Sequence, residues 1–407
     1  MSRQEVRTVL ERRRLAIIGA GPAGLATART LQGRGWDVHV FDARLTLESR
    51  DGGCYVLWYA GVMALQRMGL MDRAREVSSP ITSFEMSGAR GEQFTTIDTV
   101  AEGRQFNDSV PIAIKRADLV NVIADSSPEM TFHRGTNVRE VLDAAGGPRV
   151  VLTDGTEDRF DAVVGADGIN SAVRATLHHA DPPRHPGYAH FWGMAQAPVT
   201  GAMPGTFRIM HGSAVRFAHF WLDDETIVWW CVRPSGPSPE GDSLGSQLSM
   251  ASLLAKWDPV AAELVSRTEV ITRRDTMDQP PLRRWSSARI TLAGDAAHAM
   301  TFDLGQGAGT ALSDGVVLGS LLAQDRGITE ALRAYESARR PTANMIARAS
   351  RGVGASAHRP GIGPALNAQF LKRFGPAVTP RIFAADAKAQ LKALGPVQPL
   401  SAAHQEH

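Results

Sequence analysis

The chain has 407 residues, 43% of them hydrophobic and 21% charged, and it carries a formal net charge of +2. This composition is typical of a soluble globular protein with two or three packed lobes. The near balance of charge, and arginine clusters that belong to no recognised module, exclude a nucleic-acid partner. No apolar run reaches the roughly 20 residues of a membrane span, so we expect no integral membrane protein.

The N-terminal segment and the cysteines indicate where the protein works. The first fourteen residues are polar and arginine-rich and lack a signal-peptide cleavage pattern. Cys54 and Cys231 have no metal-ligand spacing and form no redox pair. We expect both to be buried as small hydrophobic side chains, consistent with a reducing compartment. The sequence therefore predicts a cytoplasmic protein without a metal site.

The first predicted element is a strand that leads into a glycine-rich turn. An apolar run over residues 15–18 is followed by Gly-Ala-Gly-Pro-Ala-Gly at 19–24. The apolar spacing of residues 23–34 predicts a helix, and residues 36–41 alternate as a second strand that ends before Asp42. A complete strand–helix–strand unit within about thirty residues is typical of a dinucleotide-binding site.

Each residue of this turn has a physical role beside a pyrophosphate. Gly19 permits the tight turn, Gly21 lets the backbone approach the phosphates, and Gly24 lets the helix pack on the sheet. The helix begins at Ala23, and its free N–H groups and positive dipole end bind phosphate. We expect Asp42 to accept a hydrogen bond from a ribose hydroxyl, which favours an unphosphorylated ribose.

Two further strand-to-helix turns carry an acid. Residues 161–168 (Asp-Ala-Val-Val-Gly-Ala-Asp-Gly) form an apolar strand that ends at Asp167, before a predicted helix. Residues 290–298 (Ile-Thr-Leu-Ala-Gly-Asp-Ala-Ala-His) place Asp295 after another such strand. A short loop follows, and then a second glycine turn made of Gly305, Gln306 and Gly307.

In this order, the three motifs resemble those of the flavin-dependent aromatic hydroxylases of the p-hydroxybenzoate hydroxylase fold. The resemblance covers residues 15–341, and the modest length resembles the smaller members, such as the tetracycline-inactivating monooxygenases. It implies an α/β protein: a Rossmann-like FAD-binding domain with an inserted antiparallel-sheet substrate domain and C-terminal helices. The expected boundaries are 1–79, 105–180 and 286–325 for FAD binding, 80–104 and 181–285 for substrate, and 326–407 for the helices.

The resemblance also implies roles around FAD. Asp295 matches an acid that bonds the sugar-like chain between flavin and phosphate, and residues 305–307 match a turn whose backbone donors face the flavin pyrimidine edge. Such a helix start stabilises the negative charge of reduced flavin. Arg116 matches an arginine near the phosphates and the flavin chain, and Asp167 resembles an acid near both FAD and the reduced nicotinamide. Arg44 stands one position later than the family's basic residue and is expected to contact the adenosine.

Two of the motif residues have a second interpretation. Asp295 is also a residue type that caps helices. His298 is a candidate base, but we expect it to pack structurally. The following loop departs from the family pattern, because bulky Phe302 stands where the family is compact.

The segment from 181 to 285 alternates as strands rich in aromatic residues. Phe217, His219 and Trp221 fall on one face of a strand, with Ala218, Phe220 and Leu222 on the other. A turn at 223–225 and a return over 227–232 predict an antiparallel hairpin, covered by a helical stretch over 244–264. In the family such a sheet forms a wall over the flavin. The residues expected in the substrate pocket are Trp58, His211, Phe220 and Phe302, with Trp58 on a segment (52–59) that resembles the family's mobile glycine loop.

The C-terminal region is predicted to be helical. The segment 335–341 resembles the family's closing helix, and we expect Pro341 to break or kink it. A loop is expected over 352–364 and one or two helices over 365–394, with a frayed end over 396–407.

The resemblance implies an FAD-dependent monooxygenase. NADPH or NADH would reduce the flavin, O₂ would form a peroxide at its C4a carbon, and one oxygen atom would reach an apolar aromatic or polycyclic secondary metabolite, as in antibiotic biosynthesis. The catalytic side chains are unknown, because the cofactor carries the chemistry. We expect a monomer or homodimer. The alternatives are a flavin-dependent halogenase, whose tryptophan-rich signature and catalytic lysine have no counterpart here, and an FAD protein that sequesters a ligand without converting it.

Overall fold

The computed structural model describes residues 12–47, 53–178, 182–237, 244–359, 361 and 363–397. Within them the strands are β1 (Arg13–Ile18), β2 (Trp36–Asp42), β3 (Cys54–Leu57), β4 (Ser78–Pro80), β5 (Ser83–Gly88), β6 (Gln93–Asp98), β7 (Ile112–Lys115), β8 (Thr131–Arg134), β9 (Val138–Leu142), β10 (Arg149–Leu152), β11 (Glu157–Arg159), β12 (Ala162–Gly165), β13 (Tyr188–Gln196), β14 (Thr206–His211), β15 (Arg216–Asp223), β16 (Thr226–Pro234), β17 (Thr272–Asp275) and β18 (Ile290–Leu292). The α-helices are α1 (Pro22–Leu31), α2 (Tyr59–Arg67), α3 (Met71–Glu76), α4 (Thr99–Gly103), α5 (Arg116–Asp125), α6 (Ala172–Leu177), α7 (Leu244–Leu254), α8 (Pro259–Ser266), α9 (Asp295–His298), α10 (Gly307–Leu322), α11 (Ile328–His358) and α12 (Gly363–Leu394).

Five of these strands form a parallel sheet in the order β18-β12-β1-β2-β8. Residues 15–17 of the central strand β1 are fully buried, as expected for a sheet covered on both faces. The carboxyl ends of β2, β12 and β18 meet at one edge, where Asp42 is the last residue of β2 and Asp167 and Asp295 follow β12 and β18. In sheets of this kind, ligands bind outside the carboxyl ends of the strands.

Helices α1 and α10 pack closely against each other beside that edge. A Cβ atom on Gly315 would lie 2.5 Å from the carbonyl oxygen of Ala23, and one on Gly319 would lie 2.6 Å from Cβ of Thr30. Glycine therefore permits the close crossing. As a result the starts of both helices, each preceded by one of the glycine turns, open into the same cavity.

A second large sheet has seven strands in the order β17-β13-β16-β15-β14-β5-β6, antiparallel except for the pair β14–β5. The predicted hairpin is confirmed as β15 and β16, with Phe220 opposite Val228. The two predicted faces of β15 enter separate cores: Ala218 belongs to the cluster that contains Trp58 and Phe383 of α12, and Phe217 belongs to the cluster that contains residues of α7 and α8. The predicted fold class is confirmed. Two three-stranded sheets, β11-β10-β9 and β3-β7-β4, complete the molecule as described.

The helical stretch predicted over 244–264 is two helices, α7 and α8. The Asp258 carboxylate accepts the N–H of Val260 at 2.8 Å and so caps the start of α8. Pro259 then occupies the first position of the new helix, where its missing N–H costs nothing. A cap followed by proline therefore ends the first helix and begins a second.

Pro341 was expected to break or kink the closing helix, and the expected break does not occur. Helix α11 continues through it to His358, so the loop expected from 352 onward is helical as far as 358. Tyr335 and other residues on the inner face of α11 are buried, and this tertiary packing outweighs the hydrogen bond that proline removes. At Gly354 a Cβ atom would lie 2.0 Å from the Tyr188 hydroxyl, so glycine lets α11 pack there. The region 365–394 belongs to one helix, α12.

No helix in the described part of the chain is long and apolar enough to cross a membrane.

Cys231 is buried as expected, whereas Cys54 is only half-buried, because β3 forms part of a cavity wall. Burial raises the pKa of both thiols to about 12. Gly52 of the predicted glycine loop, and residues 398–407 of the frayed end expected over 396–407, lie outside the described residues.

Candidate active site

A cavity of about 900 Å³ lies between the parallel sheet, the seven-stranded sheet and α12. Most of the predicted site residues line it: Gly19, Gly21, Ala23, Asp42, Arg44, Trp58, Arg116, Asp167, His211, Phe220, Asp295, Phe302, Gly305 and Gly307. The other two predicted site residues, Gly24 and Gln306, do not line the cavity. Gly24 packs α1 on the sheet, since a Cβ atom there would lie 2.0 Å from the carbonyl oxygen of Gly19. Gln306 is buried at the start of α10, and its Nε2 atom has no hydrogen-bond partner among the described residues.

The cavity has two parts of different chemistry. The cofactor half is the part lined by the two glycine turns, Arg116 and Asp295. The substrate half is the part lined by Phe220, His211 and Phe302. They form one continuous space, so a ligand in one part can contact a ligand in the other.

Two helix starts open into the cofactor half. Gly21 is the N-cap residue of α1 and Gln306 that of α10, and neither makes a side-chain hydrogen bond to the free N–H groups. Uncapped N–H groups and the positive end of a helix dipole attract an anion. A Cβ atom on Gly21 would meet nothing within 4 Å, so its backbone is open to an incoming group.

Arg116 and Asp295 face the cofactor half, and neither pairs with another described residue. The Nε atom of Arg116 is buried without a hydrogen bond. The helix-cap interpretation of Asp295 is wrong, because Gly294 is the N-cap residue of α9 and no side chain caps that helix. Burial raises the pKa of Asp295, and the charges of His298 and Arg116 oppose this rise. An unpaired cation and an unpaired acceptor fit a ligand that carries both phosphate and hydroxyl groups, as FAD does.

Asp42 is paired with Arg44 and with the backbone of Ala20. One carboxylate oxygen accepts the N–H of Arg44 at 2.9 Å and its Nε–H at 2.8 Å, and the other accepts Nη2–H of Arg44 at 2.9 Å and the N–H of Ala20 at 2.8 Å. Burial raises the pKa of Asp42, but these bonds outweigh it and hold the pKa below its ordinary value. A ribose hydroxyl can therefore bond to Asp42 only by replacing one of these donors.

Asp167 supports the start of α6. Its carboxylate accepts the Ser171 hydroxyl at 2.5 Å and the N–H of Val173 at 3.2 Å. Burial raises its pKa by more than these hydrogen bonds lower it. The carboxylate also lines the cavity, where it can accept a further hydrogen bond from a ligand.

One wall of the substrate half consists of aromatic rings, which we call the aromatic wall. Trp58 stacks on Phe383 of α12 with ring centroids 3.9 Å apart, and Phe207 stacks on Phe84 and Phe220 at 5.6 and 5.4 Å. Phe84, Phe207 and Phe383 were missed by the sequence prediction, because alternation in a strand or periodicity in a helix indicates only a buried face. The wall suits a flat apolar ligand.

Another part of the substrate half is polar. Nδ1 of His190 and Nε2 of His211 are buried without a hydrogen-bond partner in the described structure. Burial lowers the pKa of His190 to about 4 and that of His211 well below its ordinary value, so both rings are neutral at pH 7. The ring of Phe302 lies 4.5 Å from that of His190 and 5.8 Å from that of Trp230. Neutral imidazoles in this position can donate or accept a hydrogen bond to a ligand.

A buried ion pair joins the substrate half to the glycine turn before α10. Nη2 of Arg216, on β15, donates to Oδ1 of Asp303 at 2.5 Å, and Asp303 stands two residues before Gly305. Asp303 also accepts the Tyr188 hydroxyl at 2.5 Å and lies 3.1 Å from Nε2 of His358. Burial raises the pKa of Asp303, but the charge of Arg216 and the bond to His358 outweigh it and lower the pKa. The sequence prediction missed this cluster, because its members lie on four different elements.

His298 belongs to a second buried network. Its Nε2 atom lies 2.6 Å from Asp314, which pairs with Arg339 at 2.8 Å, which in turn pairs with Asp386 of α12 at 2.7 Å. Burial lowers the pKa of His298, but the charge and hydrogen bond of Asp314 outweigh it and raise the pKa. The expected structural role of His298 is confirmed, since the network joins α9, α10, α11 and α12.

A nucleotide cradle that opens into an aromatic chamber is the arrangement of an FAD-dependent monooxygenase of the aromatic hydroxylase class. The family model described as FAD binding domain matches residues 13–350, and the chain belongs to this family. FAD is its cofactor, and NADPH or NADH is the reductant typical of the family.

Known proteins of this class resemble the chain over most of its length. It is 30% identical over 375 residues to 3-amino-4-hydroxybenzoate 2-monooxygenase of Streptomyces cremeus, covering 85% of this chain and 88% of the relative. It is 30% identical over 336 residues to the FAD-dependent urate hydroxylase of Klebsiella pneumoniae, covering 79% and 85%. The structure of Klebsiella pneumoniae HpxO complexed with FAD and uric acid has the same fold, with a TM-score of 0.81 and 24% identity over 94% of this chain and 97% of that one.

Proposed function

We propose that the protein inserts one atom of O₂ into an aromatic or polycyclic secondary metabolite, with NADPH or NADH as reductant. The main support is the aromatic wall, which shares one continuous cavity with the uncapped start of α10. The two-electron chemistry comes from bound FAD: the nicotinamide and O₂ are consumed, one oxygen atom enters the substrate and the other leaves as water. The relative named as acting on an aminohydroxybenzoate supports an aromatic substrate.

In this proposal the cofactor half holds FAD with backbone donors and two unpaired side chains. The start of α1, at Gly21 and Ala23, binds the pyrophosphate, and Arg116 neutralises its charge. Asp295 accepts from hydroxyl groups of the chain that joins phosphate and flavin. The start of α10 donates to the flavin edge that becomes negative on reduction.

At the other end of the cofactor, Asp42 bonds a ribose hydroxyl after one donor of Arg44 has moved. The released guanidinium group then lies beside the adenosine. Asp167 remains at the cavity edge, where it accepts a hydrogen bond from either FAD or the visiting nicotinamide. These assignments give a role to Asp42, Asp167 and Asp295, the three acids at the carboxyl ends of the parallel strands that line the cavity.

The protein's own contribution to the reaction is to orient the substrate and to exclude water. Trp58 and Phe220 hold the flat face of the ring, and Phe302 limits how deeply it enters. His211 bonds a hydroxyl or amino group of the substrate and so sets which ring carbon faces the flavin. The apolar wall keeps the reacting atoms dry.

The halogenase alternative is not favoured by the cavity. No lysine lines it among the described residues. Lys115, next to Arg116, has its Nζ atom 3.3 Å from Asp223 and is about half exposed. Ligand sequestration without turnover uses the same cavity, so only an activity measurement distinguishes it.

The experiment measures oxidation of NADPH and of NADH, O₂ uptake and product mass for the holoenzyme with a panel of hydroxylated and amino-substituted aromatic compounds under ¹⁸O₂. We expect one compound or more to stimulate both rates and to gain one labelled oxygen atom. His211→Gln should raise the KM about tenfold, the loss of one buried hydrogen bond, while His133→Gln, outside the cavity, changes nothing. Compounds that bind without stimulating the oxidation of either NADPH or NADH, or a halogenated product, would overturn the proposal.

A further inference from the structure

The exposed face of α12 at the cavity opening carries large apolar side chains. Leu366, Phe370 and Phe374 are 56%, 48% and 47% exposed. They recur every four residues, so they lie along one side of the helix. Phe370 also lines the cavity, so the row of apolar side chains reaches the cavity mouth at this residue. Exposed apolar groups that cluster in this way indicate an interaction surface.

The same helix is cationic. Its exposed charged residues are all basic: Lys372, Arg373, Arg381, Lys388 and Lys392. Its one acid, Asp386, is buried against Arg339. In the described part of the chain none of the five cations has an ion-pair partner, and Arg373 lies 5.4 Å over the ring of Phe374. An α-helix turns by about 100° per residue. Four of these cations, all except Lys372, therefore project from the same side of α12 as the three apolar residues, within an arc of about 100° around the helix axis. We call this arc the α12 face.

We propose that the α12 face docks on an anionic lipid surface, with its apolar side chains in the headgroup boundary and its cations on the lipid phosphates. Phenylalanine beside arginine and lysine is the composition of helices that lie in a membrane interface. The cavity would then open toward the bilayer, where an apolar substrate concentrates. A second copy of the chain is a poor occupant, because pairing two such faces brings like charges together. This inference goes beyond the proposed reaction and concerns where the substrate enters.

The test measures co-sedimentation of the FAD-loaded protein with vesicles. Phosphatidylcholine alone is compared with a mixture containing one third phosphatidylglycerol, at low and high salt. We expect association with the mixture only, weakened by salt. The double change Arg373→Glu with Arg381→Glu should lower the association by more than about fivefold for each charge. Adding Phe374→Ser to this double variant should lower the association with vesicles further.

Matched controls separate this surface from general charge or apolarity. Arg34→Glu changes an exposed arginine at the end of α1, and Val270→Ser changes a residue that is 73% exposed elsewhere. Both should bind vesicles as the parent does. Equal association with neutral vesicles, or none with either kind at low salt, would overturn the proposal. So would a dimer in size-exclusion chromatography that Phe374→Ser dissociates. Because lipid binding is read without turnover, its failure is distinct from a failure of the proposed reaction.

Discussion

The two halves of the cavity are built in different ways. In the cofactor half, the groups that face a ligand are backbone N–H groups at two helix starts, together with the unpaired Arg116 and Asp295. In the substrate half they are rings brought together from separate segments: Trp58, Phe84, Phe207, Phe220 and Phe383. A cofactor of fixed shape requires particular backbone geometry, which short motifs encode. An aromatic wall requires only size and burial, which any core also requires, so the first half reveals its ligand and the second does not.

The largest effect is expected from Gly19→Ala, which tests how strictly the cofactor half depends on backbone geometry. Gly19 has φ of +107°, and a Cβ atom there would lie 2.2 Å from the carbonyl oxygen of Ala166. The unfavourable φ alone costs about 1–3 kcal/mol, before the clash is counted. We expect a protein that is largely unfolded, as measured by circular dichroism and thermal unfolding.

Gly21→Ala is the matched control for that change. Its Cβ atom meets no protein atom within 4 Å, so the fold should persist. The methyl group would instead occupy the space of the pyrophosphate, and flavin absorbance of the purified protein should be lost. Full retention of FAD in Gly21→Ala would contradict the position given to the pyrophosphate.

The next largest effect on stability is expected from Arg216→Met, which removes the ion pair between Arg216 in the substrate half and Asp303 beside the glycine turn of the cofactor half. It leaves Asp303 buried without its main countercharge, at a cost of about 3–5 kcal/mol in the free energy of unfolding. Arg216 holds the pKa of Asp303 low, so this stability is present above the unfolded pKa of about 3.9 and is lost as the pH falls through the folded pKa. Urea unfolding should therefore show a difference between parent and variant that is large at neutral pH and shrinks in acid. Adding Asp303→Asn should recover part of the loss, and a difference that does not change with pH would contradict the ion-pair explanation.

A smaller effect, confined to the cofactor half, is expected from Arg116→Met. Loss of a charge-assisted hydrogen bond to phosphate should weaken FAD binding by about 1.5–3 kcal/mol, or tenfold and more. Lys115→Met is the control, since Lys115 is adjacent in sequence but pairs with Asp223. FAD titration of the apoprotein, followed by fluorescence, measures both. Equal weakening in the two variants would rule out a specific contact by Arg116.

The smallest effect is expected from His298→Asn, a change in the stability of the buried network that joins α9, α10, α11 and α12. Asp314 raises the pKa of His298, so the stability from this pair is complete below the unfolded pKa of about 6.5 and is lost as the pH rises through the folded pKa. The stability difference between parent and variant should therefore be largest below about pH 6.5 and should shrink as the pH rises into the alkaline range, by about 1.4 kcal/mol for each unit of pKa shift. His133→Asn should show the opposite slope, because burial lowers the pKa of His133. A constant difference for His298→Asn would mean that its role is packing alone.

Local elements were predictable because their signals lie close together in sequence. The first strand, glycine turn, helix and second strand together occupy about thirty residues, as the motif requires. The hairpin of β15 and β16 was visible from alternation and an acidic turn. The two large networks were not predictable. Arg216 and Asp303 are 87 residues apart in the chain, and Arg339 has no local feature that indicates its partners Asp314 and Asp386.

By itself the sequence determined the glycine turns and the acids at the strand ends, because these depend on backbone geometry within a few residues, which residue type controls directly. The order of these motifs resembles that of the aromatic hydroxylases, and this resemblance implied an FAD enzyme of that class. Only the tertiary structure decided that α11 continues through Pro341, that Phe383 of α12 completes the aromatic wall, and that Arg216 joins the substrate sheet to the glycine turn before α10. These features depend on burial energy shared between distant segments, and that energy outweighs the local preference of any one residue.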